Sequence, residues 1–211
     1  QPVVPAALKT VLRDYQKDGF KWMARLAAWG AGAVLADDMG LGKTIQALTL
    51  LDHRKNNGPA LVVAPTSVCR NWETEARRFA PALRITLHRD VPEKERTTTL
   101  AALGPKDVLV TSYGLLIRHA EQLAATTFNT LVLDEAHAVK NPSSRRAAAA
   151  RGLKAEFKLA LTGTPLENHL GELWSLWRVV FPGLFGGWEE FRERFANPIE
   201  RNGDNDRRAA L

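Results

Sequence analysis

The chain has 211 residues and a formal net charge of +6, with 45% hydrophobic, 25% charged and 8% aromatic residues. This is ordinary globular composition with length enough for a full core, and it excludes a disordered or low-complexity chain. One cysteine, Cys69, excludes an internal disulfide framework and a four-thiolate metal site. Its expected place is that of a small buried hydrophobe. No apolar run approaches the ~18–20 residues of a membrane-spanning helix. Gln1-Pro2-Val3-Val4-Pro5 lacks a secretory signal pattern, and a start on Gln rather than Met reads as a piece of something longer. The expectation is a soluble, intracellular, monomeric protein. The basic surplus contains no run of five like charges, so it permits a polyanionic partner without demanding one.

In chain order, Tyr15, Gly19, Trp22, Met23 and Leu26 fall at helical spacing and predict a first amphipathic helix. Short β-branched runs then predict strands at 33–36, 60–64, 84–88, 107–111, 130–134 and 158–162. Helices are predicted at 44–53 and, after Pro65-Thr66-Ser67, at 68–79. Most strand runs are almost continuously apolar, as they are when helices cover both faces of a sheet. The alternation predicts a doubly wound, mostly parallel α/β sheet with right-handed crossovers and ligands at the carboxyl ends of the strands. From Gly171 the pattern turns helical, with Leu173, Trp174, Leu176, Trp177 and Val180 on one face, stopped by Pro182-Gly183. A second helix is predicted at 188–195, ending before Asn197-Pro198, and the polar stretch from Glu200 is expected to fray. The six tryptophans, at helical spacing, are expected mostly in the core.

The segment Ala33-Val34-Leu35-Ala36-Asp37-Asp38-Met39-Gly40-Leu41-Gly42-Lys43-Thr44 reads as strand, glycine-containing loop and helix start. Glycines let backbone N–H groups turn toward a polyphosphate, and the helix N-terminus adds a favourable dipole. Lys43 then reaches the β- and γ-phosphates, and the Thr44 hydroxyl serves Mg²⁺. The strict phosphate-loop pattern fails at one place, where Asp37 stands for its first glycine. Further on, Thr130-Leu131-Val132-Leu133-Asp134-Glu135 ends an apolar strand in two acids at the sheet's carboxyl edge. Asp134 fits a Mg²⁺ ligand, directly or through water, and Glu135 fits a base or orienter for the attacking water. Taken together and in this order, the two segments point to nucleotide hydrolysis. Leu161-Thr162-Gly163-Thr164-Pro165 ends another strand; by itself it reads as an ordinary strand-to-helix turn, although Thr162 and Thr164 have the chemistry to sense a γ-phosphate.

These segments, with Leu12-Arg13-Asp14-Tyr15-Gln16-Lys17-Asp18-Gly19-Phe20-Lys21-Trp22 and Asp134-Glu135-Ala136-His137, resemble the ordered motifs of the SWI/SNF-type DNA translocases of helicase superfamily two. That family's loop usually carries an acid where Asp37 stands, and more often Glu where Asp38 stands. Val62-Val63-Ala64-Pro65-Thr66-Ser67 with Asn71-Trp72 is similar to its first DNA-contacting segment, and Thr111-Ser112-Tyr113 to its second. Asn168, Glu172-Leu173-Trp174-Ser175-Leu176 and Phe181-Pro182-Gly183-Leu184-Phe185-Gly186 resemble its continuation.

The resemblance implies that residues 1–211 form the first RecA-like lobe of a two-lobe motor, with 171–198 a helical extension and the second lobe absent. It implies an ATP site from Gln16, which would read adenine, and Asp37, Asp38, Met39, Gly40, Leu41, Gly42, Lys43 and Thr44. Lys43, Asp134 and Glu135 would be catalytic, with Mg²⁺ on Thr44 and Asp134. His137, Thr162, Gly163 and Thr164 would couple the sites, and Pro65, Thr66, Ser67 and Tyr113 would lie near a DNA backbone. The implied partners are double-stranded DNA and DNA-bound proteins, whether chromatin-like assemblies or RNA polymerase complexes. A bacterial, nucleoid-associated location fits the alanine- and arginine-rich composition better than a nuclear one. Without the second lobe and its arginine finger, the piece is expected to be nearly inactive. Two other classes stand beside this reading: a regulatory nucleotide- or protein-binding module without turnover, and an RNA helicase lobe, since Asp-Glu-Ala-His occurs there too.

Overall fold

A computed structural model describes residues 2–38, 40–163 and 170–210. Six strands, β1 (Ala33–Leu35), β2 (Ala60–Ala64), β3 (Arg84–Leu87), β4 (Asp107–Ser112), β5 (Thr127–Leu133) and β6 (Lys154–Leu161), form one sheet. Their order is β1-β6-β5-β2-β4-β3, and every pairing is parallel. All six carboxyl ends therefore share one edge, which is what gathers the chemically active segments.

The handedness of the crossovers decides which face each helix covers. Connections running outward, β1 to β2 to β3, carry α2 (Lys43–Arg54) and α3 (Cys69–Phe79) on one face, with α1 (Asp14–Ala28) beside them. After α4 (Arg96–Ala102) the chain turns back. The returning connections place α5 (Tyr113–Arg118), α6 (Ala120–Ala125) and α7 (Arg145–Gly152) on the other face, joined by α8 (Leu170–Val180). Alternate strand residues divide accordingly: Val62, Val132 and Leu159 pack under α2 and α3, while Leu61, Leu131 and Ala160 pack under α5, α7 and α8. Each of these valines and leucines, fully buried, contributes roughly 1.5–3 kcal/mol of transfer free energy. Cys69 lies in the first of these cores, as expected.

Several sequence expectations are corrected. On α1 the buried residues are Gln16, Phe20, Met23 and Ala24, whereas Tyr15 and Trp22 are about 40% exposed. The inward face thus begins on a polar side chain, which disguised it. Of the tryptophans, Trp72 and Trp174 are buried, but Trp22, Trp29 and Trp188 stay exposed. Strands β5 and β6 begin earlier than expected, because Thr127, Lys154 and Glu156 are solvated strand positions that interrupt the apolar run. The helix beginning at Trp188 does not end before Asn197. After α9 (Trp188–Phe191), a π-helical turn (Arg192–Ala196) leads without a break into α10 (Asn197–Asn202); Pro198 has no N–H to give, and the Arg194 carbonyl four residues before it accepts from Arg207 Nη1 instead (2.7 Å). Phe185, Phe191 and Phe195 stack with Trp174 and Trp188 to anchor this extension, and α11 (Asn205–Ala210) follows where fraying was expected.

Candidate active site

At the end of β1 the chain makes a tight loop whose Gly40 and Gly42 have φ of 82° and 75°, a region open to glycine at little cost. Gly42 is doubly required, because a Cβ there would lie 2.5 Å from Gln16 Nε2. Lys43 opens α2, so the helix N-terminus and its free N–H groups face the loop. Lys43 Nζ donates to the carbonyls of Asp37 (2.8 Å) and Asp38 (3.1 Å), folding the ammonium back across the loop. Thr44 stands beside it, half-buried.

The loop is braced from α1. Tyr15 Oη and Gln16 Nε2 both donate to Leu41 O at 3.1 Å, and Gln16 Oε1 accepts from Arg13 N at 2.9 Å. The second Gln16 amide hydrogen faces Tyr15 Oη at 3.4 Å, a long bond, and Oε1 keeps one lone pair. The Asp37 carboxylate accepts from Gln46 Nε2 (3.0 Å) on α2. That bond explains an acid where a strict phosphate loop has glycine: the side chain ties the loop to the helix it opens. Gln46 was not singled out by sequence reasoning, since nothing local marks a buried Gln on an otherwise apolar helix face. Met39 lies outside the described residues.

Two strands away, β5 ends at Leu133, and Asp134 N–H still donates to Val63 O of β2 (2.8 Å). Asp134 is 6% exposed. Its Oδ2 accepts from Trp72 Nε1 (2.8 Å) and its Oδ1 from Glu135 N (2.9 Å). Burial pushes its carboxyl above the usual range, opposed by those two hydrogen bonds and, more weakly, by the Lys43 charge. Glu135 has φ 47° and ψ 54°, a left-handed conformation rare for a residue with a side chain. The turn brings Glu135 Oε2 within 3.3 Å of His137 Nδ1, with both side chains open to solvent.

The remaining expected residues divide. Thr66 and Ser67 are exposed and Pro65 is half-buried at the carboxyl end of β2. Tyr113, expected near a DNA backbone, is instead buried, and its hydroxyl donates to the Asp134 carbonyl (2.9 Å). Burial and the neighbouring Asp134 and Glu135 charges push its phenol far up, so it remains a neutral donor. Thr162 is buried, its N–H donating to Leu35 O (3.1 Å) beneath the phosphate loop, and Gly163 follows it. Thr164 and Asn168 lie outside the described residues. A cavity of about 520 Å³ opens at the opposite, amino-terminal edge beside Gly32 and Lys158, and none of these groups lines it.

A free helix N-terminus with a lysine, beside a buried carboxylate and a half-open one, can hold a polyphosphate and a divalent cation. Mg²⁺ takes few protein ligands and keeps phosphate and water for the rest. The Thr44 hydroxyl and the unused lone pairs of Asp134 fit that demand; among the described residues no group of three acids, histidines or cysteines fits a closed metal cage.

The chain is 42% identical over 208 residues to YwqA of Bacillus subtilis, by name a helicase/translocase, covering 97% of this chain and 23% of YwqA. It is 39% identical to the ISWI chromatin-remodeling complex ATPase CHR17 of Arabidopsis thaliana, covering 98% of this chain and 20% of that protein. It thus spans about a fifth of the length of these relatives. The SWI2/SNF2 ATPase core of Sulfolobus solfataricus, solved in complex with double-stranded DNA, matches at 37% identity and a TM-score of 0.87. That match covers all of this chain and 44% of the Sulfolobus chain. The fold is therefore RecA-like, and because the model of the SNF2-related domain matches residues 15–211, the site just described belongs to a member of the SNF2-related domain family.

Proposed function

We propose that this chain is the first, ATP-binding lobe of a DNA-dependent ATPase that moves along double-stranded DNA and remodels the protein–DNA complexes it meets. The observation that carries the proposal is the shared edge: the phosphate loop, the Asp134–Glu135 pair and the Pro65-Thr66-Ser67 segment, with Thr66 and Ser67 exposed, all stand at the carboxyl ends of one parallel sheet. The likeness to relatives named as remodelling ATPases and to a DNA-bound core supports it.

In this reading the N–H groups of residues 40–44 cradle the phosphates of ATP, and Gln16 offers adenine its free lone pair and the amide hydrogen now held by the long bond to Tyr15. Lys43 exchanges the carbonyls of Asp37 and Asp38 for β- and γ-phosphate oxygens, so filling the site also frees the loop. Thr44 and Asp134 hold Mg²⁺, which when bound neutralises charge on the phosphate oxygens. Glu135 orients the attacking water and takes its proton, with His137 beside it to hold the carboxylate's direction. Thr66 and Ser67 offer hydroxyls to a DNA backbone.

The roles of the two acids are separable. In the protein at its natural length, Glu135→Gln should keep ATP affinity and lose turnover, since Gln has the shape of Glu without its charge or basicity. Asp134→Asn should weaken binding only when Mg²⁺ is present. Equal loss of affinity in both variants would overturn the assignment.

A further inference from the structure

Three donors converge on Asp134, and two of them come from far along the chain. Trp72 gives its indole N–H to Oδ2 and Tyr113 gives its hydroxyl to the backbone carbonyl, while Glu135 N–H takes Oδ1. Trp72 and Tyr113 are 1% and 5% exposed, so neither bond competes with solvent. Hydrogen bonds to a charged acceptor are about twice as strong as neutral ones. Packing alone would be content with any carbonyl for the Trp72 donor; here it reaches the carboxylate read as the magnesium ligand.

Each aromatic is also tied to one of the two segments that the resemblance places near DNA: Thr66 and Ser67 of the first are exposed, whereas Thr111, Ser112 and Tyr113 of the second are buried and that segment reaches solvent at Gly114. Trp72 lies in the first turns of α3, and the helix is continuous with the loop before it: Val68 N donates to Pro65 O, and Asn71 N and Trp72 N both donate to Val68 O. A displacement of Thr66 and Ser67 therefore carries Trp72 with it. Tyr113 is the first residue of α5, whose start is capped by Ser112 Oγ accepting from Leu115 N. A rotation of that segment carries the Tyr113 hydroxyl. Burial of Tyr113 removes it from the DNA surface and places it between that surface and the nucleotide site.

Resting on the function proposed above, we infer that Trp72 and Tyr113 are positioning residues that transmit DNA occupancy to Asp134 and so set the Mg²⁺ affinity of the nucleotide site. DNA bound at Thr66 and Ser67 and against the exposed start of α5 at Gly114 seats Asp134 in its metal-holding position. By thermodynamic reciprocity, Mg²⁺ and nucleotide tighten DNA binding by the same factor.

The test is equilibrium binding of N-methylanthraniloyl-ADP to the protein at its natural length, titrated with Mg²⁺, with and without duplex DNA at fixed ionic strength. In the parent, duplex DNA should lower the Mg²⁺ concentration for half-saturation. Trp72→Phe, which loses the N–H, should raise that concentration about tenfold, the order one hydrogen bond to a charged group is worth. It should also abolish the DNA-induced shift. Tyr113→Phe removes a single oxygen and keeps the packing, so it carries the test should Trp72→Phe fold poorly; it too should lose the shift while still binding DNA. A DNA-induced shift of equal size in the parent and Tyr113→Phe, or no shift in a parent that binds both ligands, overturns the inference. A parent that binds neither nucleotide nor DNA overturns instead the function on which it rests.

Discussion

Gly19→Ala is a substitution for which two opposing effects can be sized. Gly19 lies inside α1, where replacing glycine by alanine ordinarily stabilises a helix by roughly 0.5–1 kcal/mol. Here a Cβ would fall 2.1 Å from Gln46 Oε1 and 3.3 Å from its Cδ. Gln46 is fully buried and its Nε2 is bonded to the Asp37 carboxylate, so the amide has no free direction in which to retreat. Pushing that oxygen out from 2.1 Å to ordinary contact at about 3.4 Å breaks that bond, and hydrogen bonds to charged groups contribute about 1.5–3 kcal/mol. The loss exceeds the gain, and Gly19→Ala should destabilise by about 1–2 kcal/mol in urea denaturation. It should also weaken ADP binding, because the phosphate loop loses its anchor on α2. In a Gln46→Ala background the clash is gone, and the same substitution should stabilise by the ordinary helix increment; this cycle isolates the contact. A neutral or stabilising Gly19→Ala in the parent would refute the reasoning.

Three further outcomes are expected. Lys43→Ala should reduce ADP affinity at least tenfold while leaving a cooperative unfolding transition, checked by fluorescent-nucleotide titration and urea; unchanged affinity would contradict the site. Burial, with the His119 and Arg96 charges, holds His88 down to about 4 from the ordinary 6.5. Below pH 6.5 the unfolded chain then takes up a proton that the folded chain refuses, so about 1–2 kcal/mol of stability present at pH 7 should be lost by pH 5. His88→Asn should flatten that part of the slope, and the His88 ring resonance should not titrate above pH 5. Residues 1–211 alone should release phosphate from ATP hardly at all, with or without duplex DNA. In the proposed two-lobe reading the arginine opposing the transferring phosphoryl, worth ~10³–10⁵ in rate where one is used, comes from outside these residues; strong turnover by these residues would show the lobe to be self-sufficient.

What was legible in the sequence was local. Apolar runs closed by Gly-Leu-Gly-Lys-Thr or Asp-Glu announce a strand and the chemistry at its carboxyl end, and the structure holds all six strands near their expected positions. What escaped depends on contacts between distant segments. The Asp37–Gln46 and Trp72–Asp134 bonds, and the burial of Tyr113, follow from which strands lie side by side, and β2 meets β5 only through the order of the whole sheet. The face of α1 was misread because Gln16 is a polar residue turned inward to brace the loop.

The central claim is that this edge of the sheet hydrolyses ATP in response to duplex DNA. It is tested most directly by steady-state phosphate release from the protein at its natural length, with no nucleic acid, with duplex DNA and with duplex RNA, beside Lys43→Ala as control. The account predicts turnover stimulated by duplex DNA well above RNA and abolished in the variant. Turnover indifferent to DNA, stimulated chiefly by RNA, or surviving Lys43→Ala would contradict it.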